Sequence, residues 1–269
     1  RMSKESEDSC SLTVTAIKGK VSSEGIAKNE SEPQINCLAL SQTQKYFAAG
    51  TTKGFEIIEN NANTSMRKLK NRVILNEAVI MIEMMYKSNF IALVFEKDPT
   101  KVILWDDYEE RPRTEVSFHS NVLSMLLSKE LLVVALEEKV FVFNFDNLKC
   151  IDQIETIENP LGIVAISQGE KPVNTVVICP HEFEGMLRVH TYVREKSIEN
   201  IFTAHETEIG ALSVNLEGTL IASASVKGTI IRIISVESGE QLQELRRGAG
   251  KAVINQILFH PTINLIACC

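Results

Sequence analysis

Short runs rich in valine, isoleucine and phenylalanine recur along the chain, bounded by glycine, asparagine, aspartate or serine. One of them returns in nearly the same form: YFAAG at 46–50, FIALVF at 90–95, LVVALE at 132–137, TVVICP at 175–180, LIASAS at 220–225 and LIACC at 265–269. With Ala48, Ala92, Ala135, Ile178, Ala222 and Ala267 as markers, the intervals are 44, 43, 43, 44 and 45 residues. A second apolar run stands ahead of each marker, as in INCLALS, VLSMLLS and GALSVN. A turn and a third run follow the complete ones, as in GFEIIE, KVFVFNF and TIIRIIS, and then a more polar fourth, clearest in CIDQIET and QLQELR. Runs of this kind, split by turn residues, predict strands. Sustained helical periodicity is hard to find, which argues against a helical solenoid.

Four short strands per unit at a period of about 40–45 residues predict an all-β chain of the WD40 β-propeller type. One blade cannot bury both faces of its sheet, whereas neighbours around an axis cover each other. A two-sheet sandwich is the competing arrangement, and the regular period favours the propeller. The blades read as about 34–72, 73–118, 119–156, 157–203 and 204–248, with a sixth beginning at 251, so about five and a half are recognisable. Residues 34–269 therefore form the propeller with an incomplete last blade. Residues 1–33 form an N-terminal extension, within which 11–22 is the candidate for ring-closing strands, because a ring must protect its edges.

Composition narrows the function. At 44% hydrophobic and 23% charged the chain can bury a large core. A net charge of −7 provides no global basic field for nucleic acid, so any anion must be held by a local cluster of donors. Six cysteines without a C-x-x-C pair predict buried thiols in a reducing compartment, and no metal-ligand spacing occurs among cysteines and histidines. The polar first ten residues predict no signal peptide, and no apolar run is long enough to span a bilayer. Trp105-Asp106 is the dipeptide that names WD repeats and reads as a strand end. The acidic stretch Asp106–Glu110 reads as a solvated turn or a surface for a basic partner. GAGKA at 248–252 is similar to a phosphate loop but lacks the glycine spacing and the Ser/Thr for magnesium.

The local cluster lies in ELRRG at 244–248. Successive strand residues point to opposite faces, so Arg246 and Arg247 are expected to diverge into separate inter-blade grooves, with Gly248 turning the chain afterwards. Guanidinium is a rigid fork matched to phosphate oxygens. The same blade supplies His205 at its start, Ser223 and Ser225 two apart on one strand face, a Lys227-Gly228 turn before Thr229, and Arg232 on the next strand. Each has a bland reading. The arginine pair is then a solvated strand end facing Glu244, and the serines are small inner-strand residues. His205 becomes a structural histidine bonded to a neighbouring loop, and Arg232 a partner for Glu237 or Glu240.

The motif, the preceding AHETEIGALSVNLEGTLIASASVKGTIIRIISV, and the segments NPLGIVAIS and KVILWDD together resemble the PROPPIN family from about residue 34 to the end. These are seven-bladed propellers that bind phosphoinositides, called WIPI proteins in animals, with the signature F/L-R-R-G. Leu245 stands at the variable first position, where it affects packing only. The resemblance implies a first head-group site of Ser223, Ser225, Gly228, Thr229, Arg232 and Arg246 with His205 beside it. It implies a second site beginning at Arg247 and Gly248. The rest of that site, and the family's membrane-inserting loop, are implied for the blade that follows.

The expected function is thus a phosphoinositide-binding peripheral membrane adaptor, for phosphatidylinositol 3-phosphate and also the 3,5-bisphosphate, in autophagy or endosomal traffic. It would recruit a lipid-transfer or conjugation protein through another propeller face. The resemblance places it on the cytoplasmic side of preautophagosomal, endosomal or vacuolar membranes. The alternative is a WD40 scaffold subunit without lipid binding. No paired carboxylates, nucleophile–base set or metal cluster converges on the blades, so neither an enzyme nor a cofactor is expected.

Overall fold

In the computed structural model, residues 13–16, 33–43, 45–59, 67–68, 73–85, 88–169, 174–193 and 196–269 are described. The chain divides into two compact units, Arg1–Val122 and Leu123–Cys269. All the regular structure described is β.

The first unit holds β1 (Thr13–Ala16), β2 (Ile35–Leu40), β3 (Tyr46–Thr51), β4 (Gly54–Glu59), β5 (Arg67–Lys68), β6 (Val73–Ile74), β7 (Val79–Met84), β8 (Phe90–Phe95), β9 (Asp98–Asp106) and β10 (Arg111–Ser117). They form two antiparallel sheets, β2-β3-β4-β5 with β6 also on β4, and β7-β8-β9-β10 with β1 added outside β10. Of the segment expected to close the ring, Thr13–Ala16 therefore pairs instead with the second blade, Thr13 opposite Ser117 and Ala16 opposite Thr114. The remainder of 11–22 lies outside the described residues. Between the two sheets, Phe55, Val79, Ile82, Leu93 and Trp105 make one buried cluster. Trp105 meets Phe55 edge to face at 5.8 Å. Asp106 closes the strand by accepting from the backbone N–H of Tyr108 and Glu109 at 3.0 and 3.2 Å, which makes the WD dipeptide a turn former.

The second unit holds β11 (Ser124–Leu127), β12 (Leu131–Ala135), β13 (Lys139–Asn144), β14 (Cys150–Glu155), β15 (Ala165–Ile166), β16 (Thr175–Pro180), β17 (Met186–Val193), β18 (Lys196–Thr203), β19 (Ile209–Val214), β20 (Leu220–Ser225), β21 (Ile230–Ser235), β22 (Gln241–Arg246), β23 (Ile257–Phe259) and β24 (Ile266–Cys268). Consecutive strands pair as three four-stranded sheets, β11–β14, β15–β18 and β19–β22, followed by the two-stranded β23-β24. Across both units, each complete repeat is one sheet and the last is half of one.

The markers fall on the second strand of each sheet. Ala48, Ala92, Ala135, Ile178 and Ala222 have no exposed surface, because both faces of that strand are covered. Burial then falls off outward: every residue of β12 and β16 is buried, while β22 is exposed along nearly its whole length. Burying a side chain such as Ile221 contributes roughly 1.5–3 kcal/mol, so the sheet faces carry the stability and the outer strands are free for chemistry. Among the thiols, Cys179 on β16 is buried, which pushes its pKa up to about 12, but Cys268 and Cys269, at the end of the two-stranded sheet, are exposed, contrary to the expectation of buried thiols.

Candidate anion-binding site

Alternation along β20 sorts its residues. Ile221 packs with Val176, Ile178 and Leu187 of the preceding sheet, whereas Ala222 and Ala224 pack with Ile254 and Ile257 on the other side. Ser223 and Ser225 share the face of Ile221. The strand register then carries Ser223 opposite Arg232, and Arg232 opposite Glu244. Arg246, opposite Ile230, stands two residues beyond Glu244 on that same face. The next residue, Arg247, has left the strand for the other side. The sequence thus builds a row of polar groups, from buried to exposed, along the groove facing β15–β18.

The inner end of the row is already satisfied. Ser223 is fully buried, with its hydroxyl 3.1 Å from His205 Nε2. The backbone N–H groups of Ala204 and His205 both donate to the Gly185 carbonyl at 2.9 Å. Gly185 has φ +75°, and a Cβ there would come within 2.0 Å of the His205 carbonyl oxygen, so only glycine lets the two loops close around the imidazole. Arg232 donates from Nη1 to the Ala204 carbonyl at 2.6 Å and from Nε to Glu244 at 3.3 Å. Its carboxylate partner is therefore Glu244, not Glu237 or Glu240, which lie in the turn at the opposite end of β21. Ser223 and His205, both expected at a head group, bond to each other at the buried end of the row.

Burial, and then the nearby Arg232 charge, push the His205 pKa down from 6.5 to about 4. A base with a depressed pKa favours folding fully above its ordinary value and loses that contribution as the pH falls through the folded one. Unfolding free energy is expected to decline by up to about 3 kcal/mol between about pH 6.5 and pH 4 from this residue alone. Urea denaturation across that range checks it: His205→Gln should flatten the profile, and an unchanged slope would assign the loss elsewhere.

The outer end is open. Arg246 is exposed and its side chain has no hydrogen-bond or ion-pair partner among the described residues. Ser225 and Thr229 are half-buried, and Lys227 is exposed at the tip of the turn between them. That turn is held by Gly228 N–H donating to Ser225 O at 2.8 Å. Gly228 has φ +59°, and a Cβ on it would lie 1.8 Å from the Ala252 carbonyl oxygen. Gly248 differs from expectation: nothing lies within 4 Å of the position of its Cβ, and its φ is outside the left-handed region. Gly228→Ala is accordingly expected to cost more than the roughly 1 kcal/mol of a left-handed alanine, whereas Gly248→Ala should fold as the parent does. Thermal melts of the two variants side by side test this.

Arg247 occupies the other side. Its Nε donates to Gly228 O at 2.5 Å and its Nη2 to Gly250 O at 2.6 Å. Its own N–H donates to Thr229 O at 2.9 Å. Arg246 and Arg247 thus diverge, and neither is paired with a carboxylate. The equivalent position one sheet earlier is different: Arg188, opposite Cys179 as Arg232 is opposite Ser223, is taken up by Glu182 and Glu199 at 3.1 and 3.2 Å. The groove before β15–β18 therefore presents no free guanidinium from this arginine.

Comparison with known proteins gives the repeat a family. The family model described as PROPPIN matches residues 34–268. The chain belongs to the PROPPIN family. It is 31% identical over 244 residues to autophagy-related protein 18e of Arabidopsis thaliana, covering 88% of this chain and 64% of that protein. It is 32% identical over 245 residues to SVP1-like protein 2 of Pichia angusta, covering 88% and 67%. The chain thus spans about two thirds of these relatives. Among solved structures, Kluyveromyces lactis Hsv2 superposes with a TM-score of 0.75 at 21% identity, covering 88% of this chain and 71% of that one. KlAtg21 in complex with the coiled coil of AgAtg16 superposes with a TM-score of 0.71 at 20% identity, covering 87% and 77%. The sheets are accordingly blades of the PROPPIN β-propeller.

Within this PROPPIN, the motif's side chains part: Leu245 packs against the cluster that holds Ile231 and Ile233, Arg246 faces out, and Arg247 bonds the turn at 226–229. Sequence reasoning did not assign Glu244 and the Ala204 carbonyl as the groups that orient Arg232. The first depends on a register shift between Ile233 and Ile234, without which counting back from the hairpin sets Gln243 opposite Arg232. The second depends on how two loops meet and leaves no mark in the sequence.

Proposed function

We propose that this PROPPIN is a phosphoinositide-reading peripheral adaptor, with phosphatidylinositol 3-phosphate as its ligand at the groove of β19–β22 and the 3,5-bisphosphate as a further one. The observation that carries the reading is Arg246: an unpartnered guanidinium at the rim of an inter-blade groove, beside a turn bearing Ser225, Lys227 and Thr229. Arg246 would grip the phosphate, the turn would fix the inositol ring, and Arg232, held by Glu244, would supply field from behind. Gly248, with open space before it, leaves room for a second head group near Arg247. Two weak sites on one membrane reinforce each other through effective concentration. Such a protein needs no catalytic machinery. The autophagy-related names of its relatives support a role on preautophagosomal, endosomal or vacuolar membranes, recruiting a lipid-transfer or conjugation protein.

A scaffold without lipid binding is the competing reading, favoured by the protein contacts that already engage Arg232 and Arg247. Flotation with liposomes carrying single phosphoinositides separates the two. The adaptor reading expects recruitment by the 3-phosphate above that by phosphatidylserine at equal surface charge. Equal recruitment by both would support the scaffold.

A further inference from the structure

Five loops meet at one end of the second unit: 136–138, 156–164, 181–185, 204–208 and 226–229. Backbone hydrogen bonds join them in series, from Asn159 to Glu137 at 2.7 Å, Ile157 to His181 at 3.2 Å, His205 to Gly185 at 2.9 Å and Val226 to Glu208 at 3.0 Å. Two large apolar side chains stand out from this end, Leu161 at 68% and Phe183 at 67% exposed. Neither sits on a slack loop. The buried Asn159 both accepts from Ile163 N–H at 2.8 Å and donates to Ile163 O at 3.1 Å, clamping the turn that displays Leu161. Phe183 N–H donates to His181 Nδ1 at 3.1 Å, and the two rings stack at 5.3 Å. Rigidly displayed apolar groups are the anchors that binding surfaces use, because little entropy is lost on docking.

The charge around them selects the partner. Glu137, Glu138, Glu158, Glu206 and Glu208 are exposed on these loops, and no side chain of the described residues forms an ion pair with them. Apart from the turn at 226–229, which carries Lys227, these loops would repel an anionic membrane, and a neutral apolar segment would leave their carboxylates uncompensated. We propose that this loop end docks a lysine- or arginine-rich amphipathic helix of a protein partner. The apolar stripe of the helix would seat on Leu161 and Phe183 and its cations would meet the glutamates. This gives a place and a chemistry to the partner of the adaptor reading, yet it does not depend on lipid binding.

The test uses the whole chain and a fluorescent synthetic peptide of about 18 residues, lysine and leucine at helical spacing, read by anisotropy. The parent is expected to bind it in a salt-sensitive way. Leu161→Ser with Phe183→Ser should weaken binding at least tenfold, as should Glu137→Lys with Glu158→Lys. Glu237→Lys with Glu240→Lys, at the opposite loop end, should leave it unchanged, as should Arg246→Gln. Near-ultraviolet circular dichroism establishes that each variant is folded. Parent-like affinity in the Leu161/Phe183 variant overturns the proposal, as does equal weakening by the charge reversals at both ends. A loss of liposome recruitment in that variant with no loss of peptide binding would assign the surface to the membrane and overturn it too. Failure of the lipid reading alone would appear in liposome flotation, as equal recruitment by the 3-phosphate and phosphatidylserine or as parent-like recruitment of the Arg246 variant, with peptide binding intact.

Discussion

Arg246→Gln is expected to reduce recruitment to liposomes containing phosphatidylinositol 3-phosphate by about tenfold or more while leaving the melting temperature unchanged. The size follows from the charge-assisted hydrogen bonds between a guanidinium fork and a phosphate, worth about 1.5–3 kcal/mol, or roughly 10–100-fold in affinity. The lack of effect on folding follows from the side chain's position. It is exposed, carries no intramolecular partner among the described residues, and lies on an outer strand that is exposed at every position but Leu245. Arg246→Lys should recover only part of the binding, since an ammonium keeps the charge and loses the fork. Flotation alongside a thermal melt checks both halves. A fall in melting temperature would mean that the residue supports the blade rather than the ligand.

Arg247→Gln is expected to fail in the opposite order. Its guanidinium bonds the carbonyls of Gly228 and Gly250 and so pins the turn at 226–229 to the segment that leads into β23. Losing those bonds leaves the part-buried Gly228 carbonyl without its donor, while the exposed Gly250 carbonyl turns to water, a cost of about 1 kcal/mol that lowers the melting temperature by roughly 2–4 °C. Hydrogen exchange at Gly228 and Ala252, whose N–H groups donate to Ser225 and Lys227 at 2.8 and 3.2 Å, should quicken first. Binding should weaken too, as a result of the loosened turn. A variant in which both arginines are replaced therefore mixes a ligand effect with a folding effect, and only the single substitutions separate them.

The repeat made the blades legible because each face must be covered by a neighbour, which forces the same pattern of small and branched residues about every 44 positions. The divergence of the two arginines was legible for a similar reason, since strand alternation leaves no other choice. Depth was harder to read. Ser223 and Ser225 look alike in LIASAS, but one lies beneath His205 and the other at the turn, and only the loop at 204–208 decides which. Gly248 misled differently: a glycine after a strand suggests a turn that requires it, whereas here it leaves space in front of the sheet. The pairing of Thr13–Ala16 with β10 was out of reach, since an outer edge accepts many partners and the segment's own pattern names none.

In the proposed reading, adjacent arginines divide the work, one open to a phosphate and the other bound to backbone. A crystal structure with inositol 1,3-bisphosphate, the head group of phosphatidylinositol 3-phosphate, decides it. A phosphate within hydrogen-bonding distance of Arg246 and the turn at 226–229, with Arg247 still on the carbonyls of Gly228 and Gly250, is the predicted result. A phosphate bound elsewhere, with Arg246 free in solvent, would contradict it.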